Sequence, residues 1–169
     1  METPTASPAA GIEAADDAPW LTAEEQRLWR AHLDVCKLLE YQLGRELQPH
    51  GLAMNDYEIL VVLSEEPHRR MRMTDLAAAT LQSKSRLSHQ ITRMEKAGLV
   101  VREGCPGDRR GLYAVLTDDG WQTLRKVAPD HVRSVRHHFI DRFDSDQIAA
   151  LYEALGPVAA HLRALRGRG

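Results

Sequence analysis

Cysteine is scarce in this chain of 169 residues, long apolar runs are missing, and the usual motifs of phosphate-binding and hydrolytic enzymes are absent. The two cysteines, Cys36 and Cys105, fall where a helix and a loop are expected, with no second pair nearby. That excludes a zinc knuckle or a disulfide framework. No stretch approaches the roughly 18 apolar residues of a membrane span, so no membrane partner is expected. The start METPTASPAAGIEAADDAP lacks the basic head and apolar core of a secretory leader, and the expectation is a cytoplasmic protein. No Gly-rich phosphate loop, Gly-x-Ser-x-Gly elbow or paired strand-end carboxylates can be found, so nothing points to an enzyme or to a cofactor. His131, His137 and His138 do not make a ligand set. His137 and His138 are adjacent and project to different sides of a helix, and no Cys or Glu joins them at metal-ligand spacing, so no metal is expected.

What is present has the composition of a soluble globular protein, 43% hydrophobic and 27% charged. Its net charge of −2 conceals an uneven distribution: residues 1–67 carry −9, residues 68–110 carry +6 and residues 111–169 carry +1. A cationic middle third beside an acidic arm is expected when one segment faces phosphate and the rest does not. A solvated basic face is the alternative.

Residues 1–19 show no apolar periodicity and read as a disordered tail. Thr22 and Glu25 form a capping-box pattern, and Leu28, Val35, Leu38, Leu39, Leu43 and Leu47 then recur at helical spacing up to Pro49-His50-Gly51. Asn55 and Glu58 offer a second capping pattern before a short helix that Pro67 ends. After the basic turn HRRMRM, Thr74 caps TDLAAATL, and a turn at Gln82-Ser83 leads into KSRLSHQITRMEKAG, which Gly98 closes. Two short helices about a tight turn predict a helix-turn-helix. Two β-rich runs, Leu99 to Glu103 and Leu112 to Leu116, flank CPGDRRG, so a two-stranded hairpin follows and completes a winged helix. Thr117 caps a further helix in which Pro129 should open a new segment or make a kink, and Asp144 to Gln147 caps a last one that Gly156-Pro157 should bend. The fold class is therefore mainly α with a small two-stranded β-wing.

The second helix of the pair divides into two faces. Leu87, Ile91 and Met94 form the buried stripe, and Ser85, Arg86, His89, Thr92, Arg93 and Lys96 face away from it. Those outward residues are donors suited to phosphates and base edges, and the one acid, Glu95, lies off that face. A winged helix serving protein contacts would show exposed apolar anchors there instead.

The stretch DRRGLYAVLTDDG resembles the wing signature of the MarR family of bacterial transcription regulators, Asp-x-Arg followed after five residues by Leu-Thr. Asp108, Arg110, Leu116 and Thr117 match it. TDLAAAT and SKSRLSHQITRMEKAGLVVRE resemble the same family's helix-turn-helix and first wing strand, and the likeness spans roughly residues 22–166. The resemblance implies a homodimer on a pseudo-palindromic double-stranded DNA operator. The chain then divides into a tail (1–19), an N-terminal dimerisation helix (20–50), a winged helix-turn-helix DNA-binding domain (52–117) and C-terminal dimerisation helices (118–166). Arg109 and Arg110, oriented by Asp108, are expected to reach a minor groove.

The resemblance further implies a repressor released by a small aromatic or anionic ligand. Trp29, His32, Cys36 and Tyr57 are the candidate effector pocket, with Trp29 and Tyr57 as ordinary core residues the alternative. In the peroxide-sensing branch a reactive cysteine sits near the start of the first helix. Here His32 takes that place and Cys36 lies one turn later, which leaves thiol oxidation at Cys36 as an alternative function and a buried, inert thiol as its counterpart.

Overall fold

The computed structural model describes residues 19–166, with Arg109 and Arg110 described by their backbone only. Apart from Pro19, the tail expected over residues 1–19 lies outside the described residues. The order of elements is α1 (Ala23–Leu47), α2 (Met54–Glu65), β1 (Arg70–Arg72), α3 (Met73–Ala79), α4 (Lys84–Lys96), β2 (Val100–Cys105), β3 (Asp108–Leu116), α5 (Asp118–His138) and α6 (Ser145–Arg166). The chain forms two compact units, one running through Gln42 and one beginning at Leu43.

The N-terminal unit holds most of α1. Its start is a capping box, in which Thr22 N donates to Glu25 Oε2 at 2.7 Å and Glu25 N donates to Thr22 Oγ1 at 3.2 Å. Along this part of the helix Leu28 and Leu38 are 72% and 66% exposed, so the apolar stripe finds no cover within the described residues of the unit.

The second unit begins with the last turn of α1, where Leu43 and Leu47 are buried. Pro49 and the left-handed Gly51 (φ +73°) end that helix in a short 3₁₀ turn. The start of α2 differs from the pattern expected at Asn55 and Glu58. The helix begins at Met54, and Asp56 Oδ2 accepts the Ala53 N–H at 3.0 Å, because Asp56 occupies the third helical position, from which a carboxylate reaches back. Similarly, Thr74 does not cap α3: the preceding residue is Arg72, and the Thr74 hydroxyl donates to Asp75.

The expected hairpin forms as β2 and β3, and β1 adds a third strand to its sheet, in the order β1-β3-β2 and antiparallel throughout. The basic turn of the sequence contains β1, whose three residues are too few for an alternating pattern to be seen. Helices and sheet share one core, which gathers Ile59, Leu60, Leu63, Leu76, Leu87, Ile91, Val100, Ala114 and Val127. Gly98 (φ +73°) ends α4, and Thr117 caps α5 by accepting the Gly120 N–H at 2.9 Å while its hydroxyl donates to Gly98 O at 2.6 Å. Pro129 lies inside a continuous α5, so it does not open a new segment, and Pro157 lies inside a continuous α6.

Two substitutions test this packing. A Cβ on Gly120 would fall well inside contact distance of the Leu99 carbonyl oxygen, whereas one on Gly44 would meet only Met54 Cβ at 3.9 Å. Gly120→Ala should therefore destabilise by about 2–3 kcal/mol despite alanine's better helix propensity. Gly44→Ala should gain about 0.5–1 kcal/mol, and denaturant titration reads both. His131 packs on Tyr57 with ring centroids 4.3 Å apart, and burial holds its imidazole below the ordinary value, partly offset by the charge of Glu46. Its stabilising contribution is complete above the ordinary histidine value and is lost as pH falls from there through the lowered folded value, because the unfolded chain takes up the proton first. His131→Phe should lose less of its thermal midpoint than the parent between about pH 7 and about pH 5.5.

Candidate nucleic-acid interface

Helix α4 is set by its N-cap and its stripe. Ser83 Oγ accepts the Arg86 N–H at 3.2 Å, and Leu87, Ile91 and Met94 enter the core with Gln90 beside them. Ser85, Arg86, His89, Thr92, Arg93 and Lys96 are all exposed, so the structure brings the expected outward residues to one side of the helix. The turn before it carries Leu81 in a left-handed conformation (φ +54°) and 74% exposed. Nothing in the sequence distinguished this leucine from its core neighbours.

Two ion pairs flank the outward side. Asp56, only 3% exposed, accepts through Oδ1 from Arg93 Nη2 at 2.6 Å and from Gln90 Nε2 at 3.0 Å. Arg93 is thus held at one edge by α2, although 60% of its side chain remains exposed. On the opposite flank Arg102 of β2 pairs with Glu95 and donates to Ser88 O at 2.7 Å and Thr92 Oγ1 at 3.1 Å. The Thr92 hydroxyl also donates to Ser88 O at 3.0 Å, so it is engaged within the protein. Asp56, Gln90 and Arg102 are residues that sequence reasoning missed. Each acts through a partner 7 to 37 positions away, and only the fold brings them together.

At the wing, pairing steps from Gly104↔Leu112 to Cys105↔Asp108, which leaves residues 109–111 in a bulge of β3. Arg109 and Arg110 occupy that bulge. Asp108 Oδ1 accepts the Gly111 N–H at 3.0 Å and Oδ2 accepts from Arg72 Nη1 at 3.0 Å. Asp108 is thus paired with an arginine of β1. A Cβ on Gly111 would lie 2.5 Å from Asp108 Oδ2, so a larger residue there would displace the Asp108 carboxylate. A hollow of about 310 Å³ separates the wing from α4, lined by Arg72, Thr74, Lys84, Ser88, Arg102 and Asp108 among others.

The candidate effector residues fall in different units. Trp29 and His32 stack in the N-terminal unit with ring centroids 5.7 Å apart, and His32 lies 3.7 Å from Cys36 Sγ. All three are exposed, so Cys36 is not the buried thiol weighed as one alternative. Tyr57 is 7% exposed in the core of the second unit, and burial raises the value of its hydroxyl. Cys105 is buried in the wing. His138 Nε2 lies 2.7 Å from Glu46 Oε1, and no group of three or more metal-ligating side chains occurs among the described residues.

Comparison with known proteins places this arrangement. The family model for the MarR family matches residues 50–111, the span from the end of α1 to the wing bulge. The crystal structure of AbsC, a MarR family transcriptional regulator from Streptomyces coelicolor, is 62% identical, with 87% of this chain and 99% of that one covered at a TM-score of 0.82. Sco3205, another MarR family regulator from that organism, was solved in complex with DNA. It is 47% identical over 87% of this chain and 92% of its own, also at a TM-score of 0.82. The homoprotocatechuate degradative operon repressor of Escherichia coli is 30% identical over 106 residues, 63% of this chain and 70% of that protein. With a winged helix-turn-helix of this geometry and identity at that level over nearly the whole described chain, the protein belongs to the MarR family of transcriptional regulators.

Proposed function

We propose that the chain is a homodimeric, sequence-specific repressor that binds double-stranded DNA in the cytoplasm, acts by binding rather than catalysis, and is released by a small aromatic or anionic ligand. The observation that carries this reading is the exposed side of α4, where Ser85, Arg86, His89 and Lys96 lie together without an acid. In this reading α4 enters a major groove and Arg109 and Arg110 reach the adjacent minor groove, where negative potential is concentrated. The likeness to Sco3205, solved with DNA, supports it, and the likeness to a degradative operon repressor supports negative control.

The homodimer reading rests on uncovered apolar side chains. Leu28 and Leu38 on α1, and Tyr152 and Leu162 on α6, are each more than half exposed, an arrangement that a second copy related by a two-fold axis would bury. The domain division follows: residues 52–117 bind DNA, and residues 20–50 and 118–166 hold the dimer. The effector reading rests on the exposed Trp29–His32 stack beside Cys36, a surface suited to a flat ring.

The test is a titration of the protein against a duplex from the intergenic region beside its own gene and against an unrelated duplex, at several salt concentrations. The expected result is tight, salt-dependent binding that favours the first by about 10³ or more, and equal weak binding to both would overturn the reading. Arg109→Ala/Arg110→Ala should stay folded and bind about tenfold or more weakly, with a shallower salt dependence. Arg93→Ala should lose stability as well as DNA affinity, by about 1–3 kcal/mol in denaturant titration, because it leaves the buried Asp56 carboxylate without its cation.

A further inference from the structure

Arg72 stands at the junction of β1, α3 and the wing. Its backbone ends β1 and immediately precedes α3, the first helix of the helix-turn-helix. Its guanidinium crosses to the wing, where Nη1 donates to Asp108 Oδ2 at 3.0 Å, and it lies over the Tyr113 ring of β3 at 5.7 Å from the centroid. Asp108 in turn closes the bulge of residues 109–111 by accepting the Gly111 N–H. One carboxylate therefore holds the base of the bulge, and one guanidinium holds that carboxylate to the start of α3. The hollow beside them is bordered by Lys84 and Ser88 of α4, and on its far side Arg102 of β2 bonds directly to α4, so the Arg72–Asp108 pair is the tie on the side of the bulge.

We propose that Arg72 is a positioning residue for DNA recognition, which through Asp108 fixes the wing relative to the helix-turn-helix and so decides where the wing arginines meet the groove flanking the one α4 reads. This rests on the reading of Arg109 and Arg110 as DNA contacts. Arg72 need not touch DNA for this role. Its consequence is selective: loosening the wing blurs preference at flanking base pairs and leaves the positions under α4 unchanged.

The experiment sequences the duplexes that the full-length protein retains from a randomised pool, and repeats this for Arg72→Gln, Arg72→Lys, Asp108→Asn, the Arg72→Gln/Asp108→Asn double variant and Arg109→Ala/Arg110→Ala. Affinity for the best duplex and the thermal midpoint are measured for each. Arg72→Gln and Asp108→Asn should each weaken binding by about fivefold, as expected for one partly exposed ion pair. Both should lose the flanking preference that Arg109→Ala/Arg110→Ala also loses, and keep the central one. The double variant should be no worse than the weaker single, because the two side chains act as one unit. Arg72→Lys, which keeps the charge and can still donate from one nitrogen, should retain most of the flanking preference; it also serves as the comparison if Arg72→Gln lowers the thermal midpoint.

An unchanged flanking profile in a folded Arg72→Gln would overturn the proposal. So would an equal loss at every position, which marks a plain phosphate contact, or losses that add in the double variant. If Arg109→Ala/Arg110→Ala alters neither affinity nor profile, the wing reading itself fails, independently of anything seen at Arg72, and the proposal falls with it.

Discussion

A carboxylate taken out of water must find a cation or several N–H donors, and in this protein that requirement falls on Asp56. Its two oxygens accept from the Ala53 amide, from Gln90 and from Arg93, so the first turn of α2 and one flank of α4 are joined at a single buried point. The Arg102–Glu95 pair does the corresponding work on the other flank, from β2. Between these two pins lies the apolar stripe, which already resists rotation because turning it would expose Leu87, Ile91 or Met94. Ser85, His89 and Lys96 then have one direction left to face. The orientation of the interface is thus a consequence of what α4 buries and of what grips its sides.

The same pairs change the meaning of the basic middle third. Of its cations, Arg69 meets Asp118 and the Trp121 ring, Arg72 meets Asp108, Arg93 meets Asp56, and Arg102 meets Glu95. A segment charge of +6 therefore overstates what is offered outward, because several of its arginines act as clamps between elements. Arginine suits that work: its planar fork can satisfy a carboxylate and neighbouring carbonyl or hydroxyl groups together, as Arg102 does with Glu95, Ser88 and Thr92.

Apolar periodicity meets two fates along one helix. Leu43 and Leu47 of α1 are buried in the second unit, while Leu28, Val35 and Leu38, spaced by the same helical rule, remain exposed. In α6 none of the residues is buried. Periodicity states that a face is apolar, and it carries no information about whether the cover comes from the same chain or from another.

Local chemistry was therefore legible in the sequence. Caps at Thr22, Thr117 and Asp144, the left-handed close at Gly98, the stripe of α4 and the hairpin around CPGDRRG each depend on residues within a turn or two, and each stands as read. The order of those elements sufficed for the winged helix. What only the tertiary structure decided lies at long range. It made Arg70–Arg72 of HRRMRM a third strand by giving it β3 as a neighbour, placed Tyr57 in the core against His131, tied Arg93 to Asp56 across 37 positions, and paired Asp108 with Arg72 across 36. The physical reason is that caps and periodicity are properties of a single element, whereas a strand partner, a buried ion pair or a ring contact exists only once two distant elements have packed.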